Sequence, residues 1–462
     1  MQDTGHADSD LSWLAAVGAG GGPIYLRITE ALAEARASGL LQPGDRLPPQ
    51  RDLAQALGVD LTTVTRAFME ARRRNLIEAA PGRGTFVTPG GSDEPVLDLS
   101  MNIPPAPLGI SLPALIRSGI DGLLRRSSAE ALLSYHPGPG SASERAAGSQ
   151  WIAGEGERPA VARMAVGSGA QALLAATVLA HSREGDVVLT DMCTYPGLIA
   201  LTRALGRGLV GVPGDADGML PDALEMQARH CSARLVYLNP TLHNPTTLVM
   251  PQARREDLVT AARRLGLTIV EDDPYSRLLP DAPPSLLSLA PDMTIHVATL
   301  AKCILPFLRT AFLVAPEAET AERIAAALRG ITQMAAPLMT GLAAEWIRSG
   351  TAGEIAAAVR GEAVERQRIA ASMLQAGAVT QKASLNIWLP LKDAIGAEEL
   401  VRLARRRGLA ISPGDEFAVS GSASNAVRIA LGAAASRERL KEGLRSLVSI
   451  LSESSDRVGL PV

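Results

Sequence analysis

From about residue 97 onward, short aliphatic runs (VVLTD, LVYLN, TIVEDD, TIHVATL and AFLVA) alternate with Ala/Leu/Arg-rich segments of helical length. Strands that alternate with helices cannot pair as simple hairpins, so the pattern demands an α/β fold with a mainly parallel sheet. A long helical stretch from roughly Glu317 to Leu374 ends the alternation, and a smaller α+β piece follows, up to about Ser452. The small subdomain is expected over about 330–452.

The first 96 residues follow other rules. Residues 1–21 are rich in Gly, Ala and Asp and read as a flexible arm. Ile24, Ile28, Leu32 and Ala35 recur at helical spacing up to about Gly39. Arg51 to Leu57 reads as a short helix stopped by Gly58. Asp60 is placed to cap a second helix from Leu61 to Asn75, with Val64, Phe68 and Ala71 inward. Leu76-Ile77 and Thr85-Phe86-Val87 read as strands about a Pro81-Gly82-Arg83-Gly84 turn. Together these elements predict a winged helix-turn-helix over 22–87. Residues 88–96, small and turn-forming, read as a linker to a domain spanning 97–462.

Composition sets bounds on function. A net charge of −3 denies the chain a general affinity for nucleic acid, so any DNA contact must be local. Residues 22–90 carry nine Arg against seven acids, a modest local excess. No apolar run approaches the roughly 20 residues of a membrane helix, and the acidic start does not resemble a signal peptide. Cys193, Cys231 and Cys303 are scattered, with no metal-ligand spacing. These features predict a cytoplasmic protein without a metal site.

Lysine is scarce. Only Lys302, Lys382, Lys392 and Lys441 occur, and arginine supplies the other cations. Arginine cannot condense with an aldehyde, so a retained lysine draws attention.

The segment GDRLPPQRDLAQALGVDLTTVTRAF and the wing GRGTFV resemble the GntR family of bacterial regulators over the whole N-terminal domain. In such a reader the recognition helix enters the major groove while hydroxyls and arginines hold phosphates. The resemblance implies DNA contacts by Arg51, Thr62, Thr63 and Arg66, with Arg83 and Gly84 at the wing tip. As a plain reading, the same arginines could be the solvated face of a helical domain. Leu61 stands where the family often has a polar or basic residue, so base preference does not carry over.

The segment TIHVATLAKCILPFLRTAFLVAP resembles the lysine-bearing stretch of fold-type I, class I aminotransferases. The resemblance implies pyridoxal 5'-phosphate, with Lys302 as Schiff-base lysine, Thr299 near the phosphate and Arg309 as its clamp. Apolar flanks (Leu300, Ala301, Ile304, Leu305) would lower the Lys302 pKa and free its amine. GSGAQALL would aim the N–H groups of Ser168, Gly169 and Ala170 at phosphate. Tyr195 is similar to the aromatic that stacks on the pyridine ring, and HNPTT makes Asn244 a partner of the ring oxygen. EDDPYS pairs Asp272, for the ring nitrogen, with Tyr275, for the ring oxygen; Asp273 remains an alternative inward acid. Tyr135 resembles the tyrosine lent to the phosphate by a neighbouring subunit, and Arg428 the arginine that grips a substrate carboxylate. Arg428 could instead be an ordinary strand-end cation.

Departures touch the walls of this site. Phe307 follows Pro306, Thr310-Ala311-Phe312 replaces x-Gly-Tyr, Thr247 takes a usual glycine position, and Ser143-Glu144-Arg145 replaces x-Leu-Arg. They put efficient transamination in doubt.

A GntR-type reader fused to an aminotransferase-like domain resembles the MocR family over nearly the whole chain. That resemblance implies a homodimer on operator DNA, and an amine effector that displaces Lys302 to form an external aldimine. A diaminobutyrate-type compound of ectoine catabolism is the favoured effector, with GABA, taurine and pyridoxal phosphate itself open. A genuine aminotransferase with a vestigial DNA domain is the alternative, and a regulator with slow half-transamination lies between them.

Overall fold

The computed structural model describes residues 13–14, 17, 23–37, 40–42, 44–74, 76–80, 84–88, 96–126, 135, 138–154, 156–374, 378–391, 395–419 and 425–458. The chain divides into two compact units, Met1–Pro95 and Val96–Val462.

In the first unit, α1 (Ile24–Ala37), α2 (Gln50–Leu57) and α3 (Leu61–Arg73) precede a hairpin of β1 (Ile77–Ala80) and β2 (Gly84–Val87). α2 stops at Gly58, whose φ of 62° is a left-handed cap that costs glycine nothing. Asp60 caps α3, its carboxylate accepting from the Thr62 N–H at 2.7 Å. Leu53, Val64, Ala67, Phe68 and Val87 are buried together with Ile28 and Leu32 from α1. Burying such aliphatic and aromatic side chains stabilises a domain by about 1.5–3 kcal/mol each. The flexible-arm expectation for residues 1–21 needs correction at its far end. Trp13 and Val17 are buried in this same core, and Arg27 donates from Nε to the Val17 carbonyl at 2.9 Å. A lone tryptophan in a Gly/Ala/Asp-rich run gives no periodicity to read. Residues 89–95 of the expected linker and Asn75 lie outside the described residues.

The second unit is built on a seven-stranded sheet in the order β4-β12-β11-β10-β9-β5-β6. The strands are β4 (Met164–Gly167), β5 (Val187–Asp191), β6 (Gly208–Val212), β9 (Leu235–Leu238), β10 (Thr268–Asp272), β11 (Thr294–Thr299) and β12 (Ala311–Val314). β12 runs antiparallel to both neighbours, and the other pairs are parallel. All six residues of β11 are buried, as expected for a central strand covered on both faces. The short pair β7 (Gly214–Asp215) and β8 (Gly218–Met219) lies outside this sheet.

The helical stretch anticipated from Glu317 resolves into helices Ala318–Thr332, Pro337–Ser349 and Thr351–Met373. A smaller three-stranded antiparallel sheet follows, in the order β13 (Asn386–Pro390), β16 (Ala426–Ala430), β15 (Ser412–Pro413). β3 (Leu97–Asp98) reaches across the sequence to pair with β14 (Leu409–Ala410). The segment just after β3 is thereby anchored to this smaller subdomain. Among the described residues no helix is long and apolar enough to cross a membrane.

Candidate functional site

In an open parallel sheet, ligands bind beyond the carboxyl ends of the strands. Asp191 ends β5, Asp272 ends β10, and Thr299 ends β11 three residues before Lys302. The Tyr195, Asn244, Tyr275 and Lys302 positions all follow such strand ends.

Asp272 is buried. Its Oδ2 accepts from the Tyr237 hydroxyl at 2.7 Å, while its Oδ1 is buried without a partner. Burial pushes its pKa up to about 6; the Tyr237 hydrogen bond and the Lys302 charge act the other way. The neighbouring Asp273 points elsewhere, its Oδ2 lying 3.8 Å from His296 Nε2. The strand's period of two sends adjacent side chains to opposite faces, which settles which acid shares the Lys302 environment. It is Asp272.

Among the described residues Lys302 is the lysine whose amine is drawn into this region: Nζ donates to the Asn102 carbonyl. Burial, aided by the nearby Arg428, lowers its pKa to about 8. Asn102 also donates from Nδ2 to the Tyr275 hydroxyl at 2.9 Å. The Tyr275 phenol is held well above its ordinary value by burial. Asn244 is fixed through its N–H, which donates to Asn239 Oδ1 at 2.8 Å; Asn239 in turn donates to the Asp272 carbonyl at 2.8 Å. Arg428 is buried, and its Nη1 donates to Asn244 Oδ1 at 2.9 Å. Its Nη2 donates to the Ser100 carbonyl, and its guanidinium carbon lies 4.7 Å from the centre of the Phe417 ring.

Ser168 and Gly169 lead into the helix Ala170–His181, whose first N–H groups have no intrahelical acceptor. Gly169 has φ of 104°, and a Cβ there would come within 3.1 Å of Arg309, whose Nη2 donates to the Ser168 carbonyl at 3.3 Å. A helix N-terminus faced by a guanidinium is an anion cradle. Thr299, ten residues before Arg309, is buried, its hydroxyl accepting from the Ala301 N–H at 3.2 Å. Tyr195 precedes the helix Pro196–Ala204, with its ring packed over Gly197, where a Cβ would meet it at 2.3 Å. Burial raises the Tyr195 phenol above its ordinary value. Tyr135 stands apart from this cluster, 74 % exposed.

These residues fit pyridoxal phosphate. A buried carboxylate with one unpartnered oxygen suits a pyridinium, an anion cradle suits a phosphate, and a dehydrated amine suits an aldehyde. Two of the departures from the usual pattern can be located in the structure. Thr247 sits at φ of 62°, the conformation that glycine adopts without strain. Glu144 completes a capping box with Ser141 and accepts from the Thr340 hydroxyl.

Sequence reasoning missed Tyr237, Asn102 and Ser100. Tyr237 hides in an apolar strand run. Asn102 and Ser100 reach the site only because β3 pairs with β14.

In the reader, Arg51, Thr62 and Arg66 are exposed and Thr63 is half-buried. The Thr62 hydroxyl donates to Asp60 Oδ1 at 2.6 Å, and Arg66 lies over the Tyr25 ring at 5.1 Å. Gly84 has φ of 120°, and a Cβ there would meet Arg46 Nε at 2.8 Å. Arg46 therefore lies against the wing, a cation that the sequence reading passed over inside GDRLP. Arg83 lies outside the described residues.

Comparison with known proteins matches residues 94–447 to the family model "Aminotransferase class I and II". Residues 24–87 match "Bacterial regulatory proteins, gntR family". The chain is 28 % identical over 452 residues to the uncharacterized HTH-type transcriptional regulator YdeF of Bacillus subtilis, covering 96 % of this chain and 97 % of that one. It is 30 % identical over 324 residues to the HTH-type pyridoxine biosynthesis transcriptional regulator PdxR of Corynebacterium glutamicum, covering 67 % of this chain and 69 % of that one. Among solved structures it resembles LysN, an α-aminoadipate aminotransferase from Thermus thermophilus complexed with N-(5'-phosphopyridoxyl)-L-leucine. That match has a TM-score of 0.70 and 26 % identity, over 79 % of this chain and 94 % of LysN.

Proposed function

The chain belongs to the class I and II aminotransferase family and carries a GntR-family segment ahead of it, and from this premise we propose that it is a DNA-binding regulator that senses an amine through its aminotransferase-like unit. The observation that carries the reading is the coexistence in one chain of a capped, exposed recognition helix with a half-buried Lys302 amine near a buried Asp272. A true aminotransferase needs only the second.

The family's cofactor is pyridoxal 5'-phosphate, which when bound supplies an aldehyde carbon that condenses with primary amines. In this chain Lys302 is the residue that would hold it covalently. Asp272 would keep its ring nitrogen protonated, while Asn244 and Tyr275 hydrogen-bond the ring oxygen. Tyr195 would cover one face of the ring. Ser168, Gly169, Ala170, Thr299 and Arg309 would hold the phosphate, joined by Tyr135 from a second copy in a homodimer. Arg428 would take the effector's carboxylate bidentately, releasing Asn244 as it turns. The effector is then an amine bearing a carboxylate, and a diaminobutyrate-type ectoine catabolite is the first to test.

Arg51, Thr63 and Arg66, with Arg83 and Gly84 of the wing, would contact operator DNA. Thr62 has a narrower role, since its hydroxyl proton is committed to the Asp60 cap.

The aminotransferase alternative is favoured by the completeness of the Lys302, Asp272 and Asn244 set. One experiment separates the two. Titrating the purified chain with carboxylate-bearing amines should shift the cofactor spectrum and operator affinity together, through a coupling on the order of 1–3 kcal/mol. Sustained turnover with a keto-acid partner at roughly 1 s⁻¹ or above, with operator affinity unmoved, would reject sensing.

A further inference from the structure

A cavity of about 780 Å³ opens in the second unit beside β10, and none of the residues assigned above to the cofactor or the amine lines it. Its volume lies within the range of small-molecule sites, about 300–1,000 Å³. It is walled by the end of the helix Ala142–Ala153, the turn Ser276–Leu278 and the start of the helix Thr351–Met373.

Two cations converge there, with the Asp273 and Asp281 carboxylates elsewhere in the lining. Arg277 stacks on the Trp151 ring at 5.0 Å, and Arg360 donates from Nη1 to the Arg277 carbonyl at 3.5 Å. Among the described residues no carboxylate lies within ion-pair distance of either guanidinium, whereas Arg254, Arg263, Arg366 and Arg437 each have one. Burial works against the charge of Arg277 and the Asp273 carboxylate offsets it only from beyond ion-pair distance, so an oxyanion in direct contact would stabilise the half-buried guanidinium. A third arginine, Arg255, differs. It is fully buried, and its donors are taken by the carbonyls of Met250, Pro240 and Pro284 and by the Thr241 hydroxyl. It adds positive potential but offers no free donor. Room is available as well, because a Cβ built at Gly353 would meet nothing within 4 Å.

Asp273 and His296 also line the cavity. His296 Nδ1 lies 2.8 Å from Glu271 Oε2, and Glu271 also accepts from the N–H groups of Leu286 at 2.9 Å and Leu287 at 3.0 Å. Asp272 sits between Glu271 and Asp273 on the same strand end, with its side chain on the other face. A ligand in the cavity would therefore press on the backbone that aims Asp272.

We propose that this cavity is a second ligand site, for a small metabolite carrying an oxyanion (a carboxylate or a phosphate), gripped by Arg277 and Arg360 and felt at Asp272 through Asp273 and His296. The grip stands by itself; the coupling rests on the reading of Asp272 as the cofactor's acid.

The test is calorimetric titration of the full chain, as purified with its bound cofactor, with succinate in one arm and inorganic phosphate in the other, at low ionic strength. Saturable binding of either is expected and tells which oxyanion the site takes. It should weaken at least tenfold in Arg360→Gln and in Gly353→Leu, a replacement that fills the mouth from a position with open space. It should persist in Arg428→Ala. Arg277→Gln repeats the charge test from the other guanidinium, and circular dichroism of each variant shows that it folds. No saturable binding of either anion, or binding lost with Arg428→Ala but kept in Gly353→Leu, overturns the site. The cofactor's absorbance, followed in the same titrations, should shift on saturation in the parent chain and not in Gly353→Leu. Binding at the site without that shift overturns the coupling alone, and a chain that holds no cofactor leaves the calorimetric result standing while rejecting the reading of Asp272.

Discussion

The Arg428 guanidinium donates from Nη1 to the side-chain oxygen of Asn244 at 2.9 Å, joining the residue expected to hold a ligand's carboxylate to the one expected to hold the cofactor ring. An incoming carboxylate must win Arg428 from Asn244 and from the Ser100 carbonyl. Arg428→Ala should keep the cofactor but weaken carboxylate-bearing amines by roughly 10- to 100-fold, since hydrogen bonds to charged groups contribute about 1.5–3 kcal/mol. An amine without a carboxylate should bind the variant as it binds the parent. Spectral titration with both ligands checks this, and equal losses for the two would refute the assignment.

Lys302 carries the second prediction. With its pKa lowered to about 8, the neutral amine fraction rises from about a tenth at pH 7 to about nine tenths at pH 9. Uptake of pyridoxal phosphate by the cofactor-free chain should accelerate across that window and then level off. Borohydride should fix the label on the peptide containing Lys302, and Lys302→His should abolish fixation. Label on Lys382, Lys392 or Lys441 would be the contrary result.

Asp272 and Tyr237 make the third. The Asp272 pKa is raised to about 6 in the folded chain, so the carboxylate that pairs with a protonated ring exists above that pH and is lost below it. Cofactor affinity should fall as pH drops through 6. Tyr237→Phe removes a hydrogen bond that favours the ionised form, so the fall should begin at higher pH. For the cofactor-free chain the sign reverses. Between the unfolded value of 3.8 and about 6 the folded state binds the extra proton, so Asp272 contributes stability as the pH falls through 6. Thermal melts of the cofactor-free chain and of Asp272→Asn should therefore converge on acidification. Parallel pH curves for the two would contradict this.

The sheet and the reader were legible because their signals are local, and the same local signals proposed the candidate site. Asp272 ends a strand and Lys302 follows another by three residues, both announced by the aliphatic runs before them, and Asp60 caps a helix whose apolar spacing shows in sequence. What escaped notice depends on distant pairing. Asn102 lies 200 residues from Lys302, and no local pattern ties its carbonyl to that amine. Tyr237 reads as a core aromatic within LVYL, because the acid that gives its hydroxyl a purpose is 35 residues away. The His296–Glu271 pair likewise sits in strands whose neighbours are almost wholly apolar, so its ionic character shows only once β10 and β11 lie side by side.

The reader supplies the last prediction. Arg51 and Arg66 are exposed on consecutive helices, as a major-groove reader requires. Arg51→Ala and Arg66→Ala should each weaken operator binding, by about 1–3 kcal/mol where the side chain reads a base. Where it holds a phosphate instead, the loss should be uniform across sequences and the salt slope should fall by about one. Arg66 has a second attachment, its guanidinium lying 5.1 Å from the Tyr25 ring centre, so its removal also strips a contact between α1 and α3. Arg66→Lys tells the two effects apart: it keeps a cation for phosphate but loses bidentate geometry, so retained affinity points to phosphate and lost affinity to a base. Thr62→Val should act mainly through the helix cap, because the hydroxyl proton is engaged by Asp60. Fluorescence anisotropy with operator DNA at several salt concentrations measures all four variants. A chain starting at Val96 should keep its cofactor spectrum and lose operator binding altogether; specific binding by that fragment would place the reader outside residues 24–87.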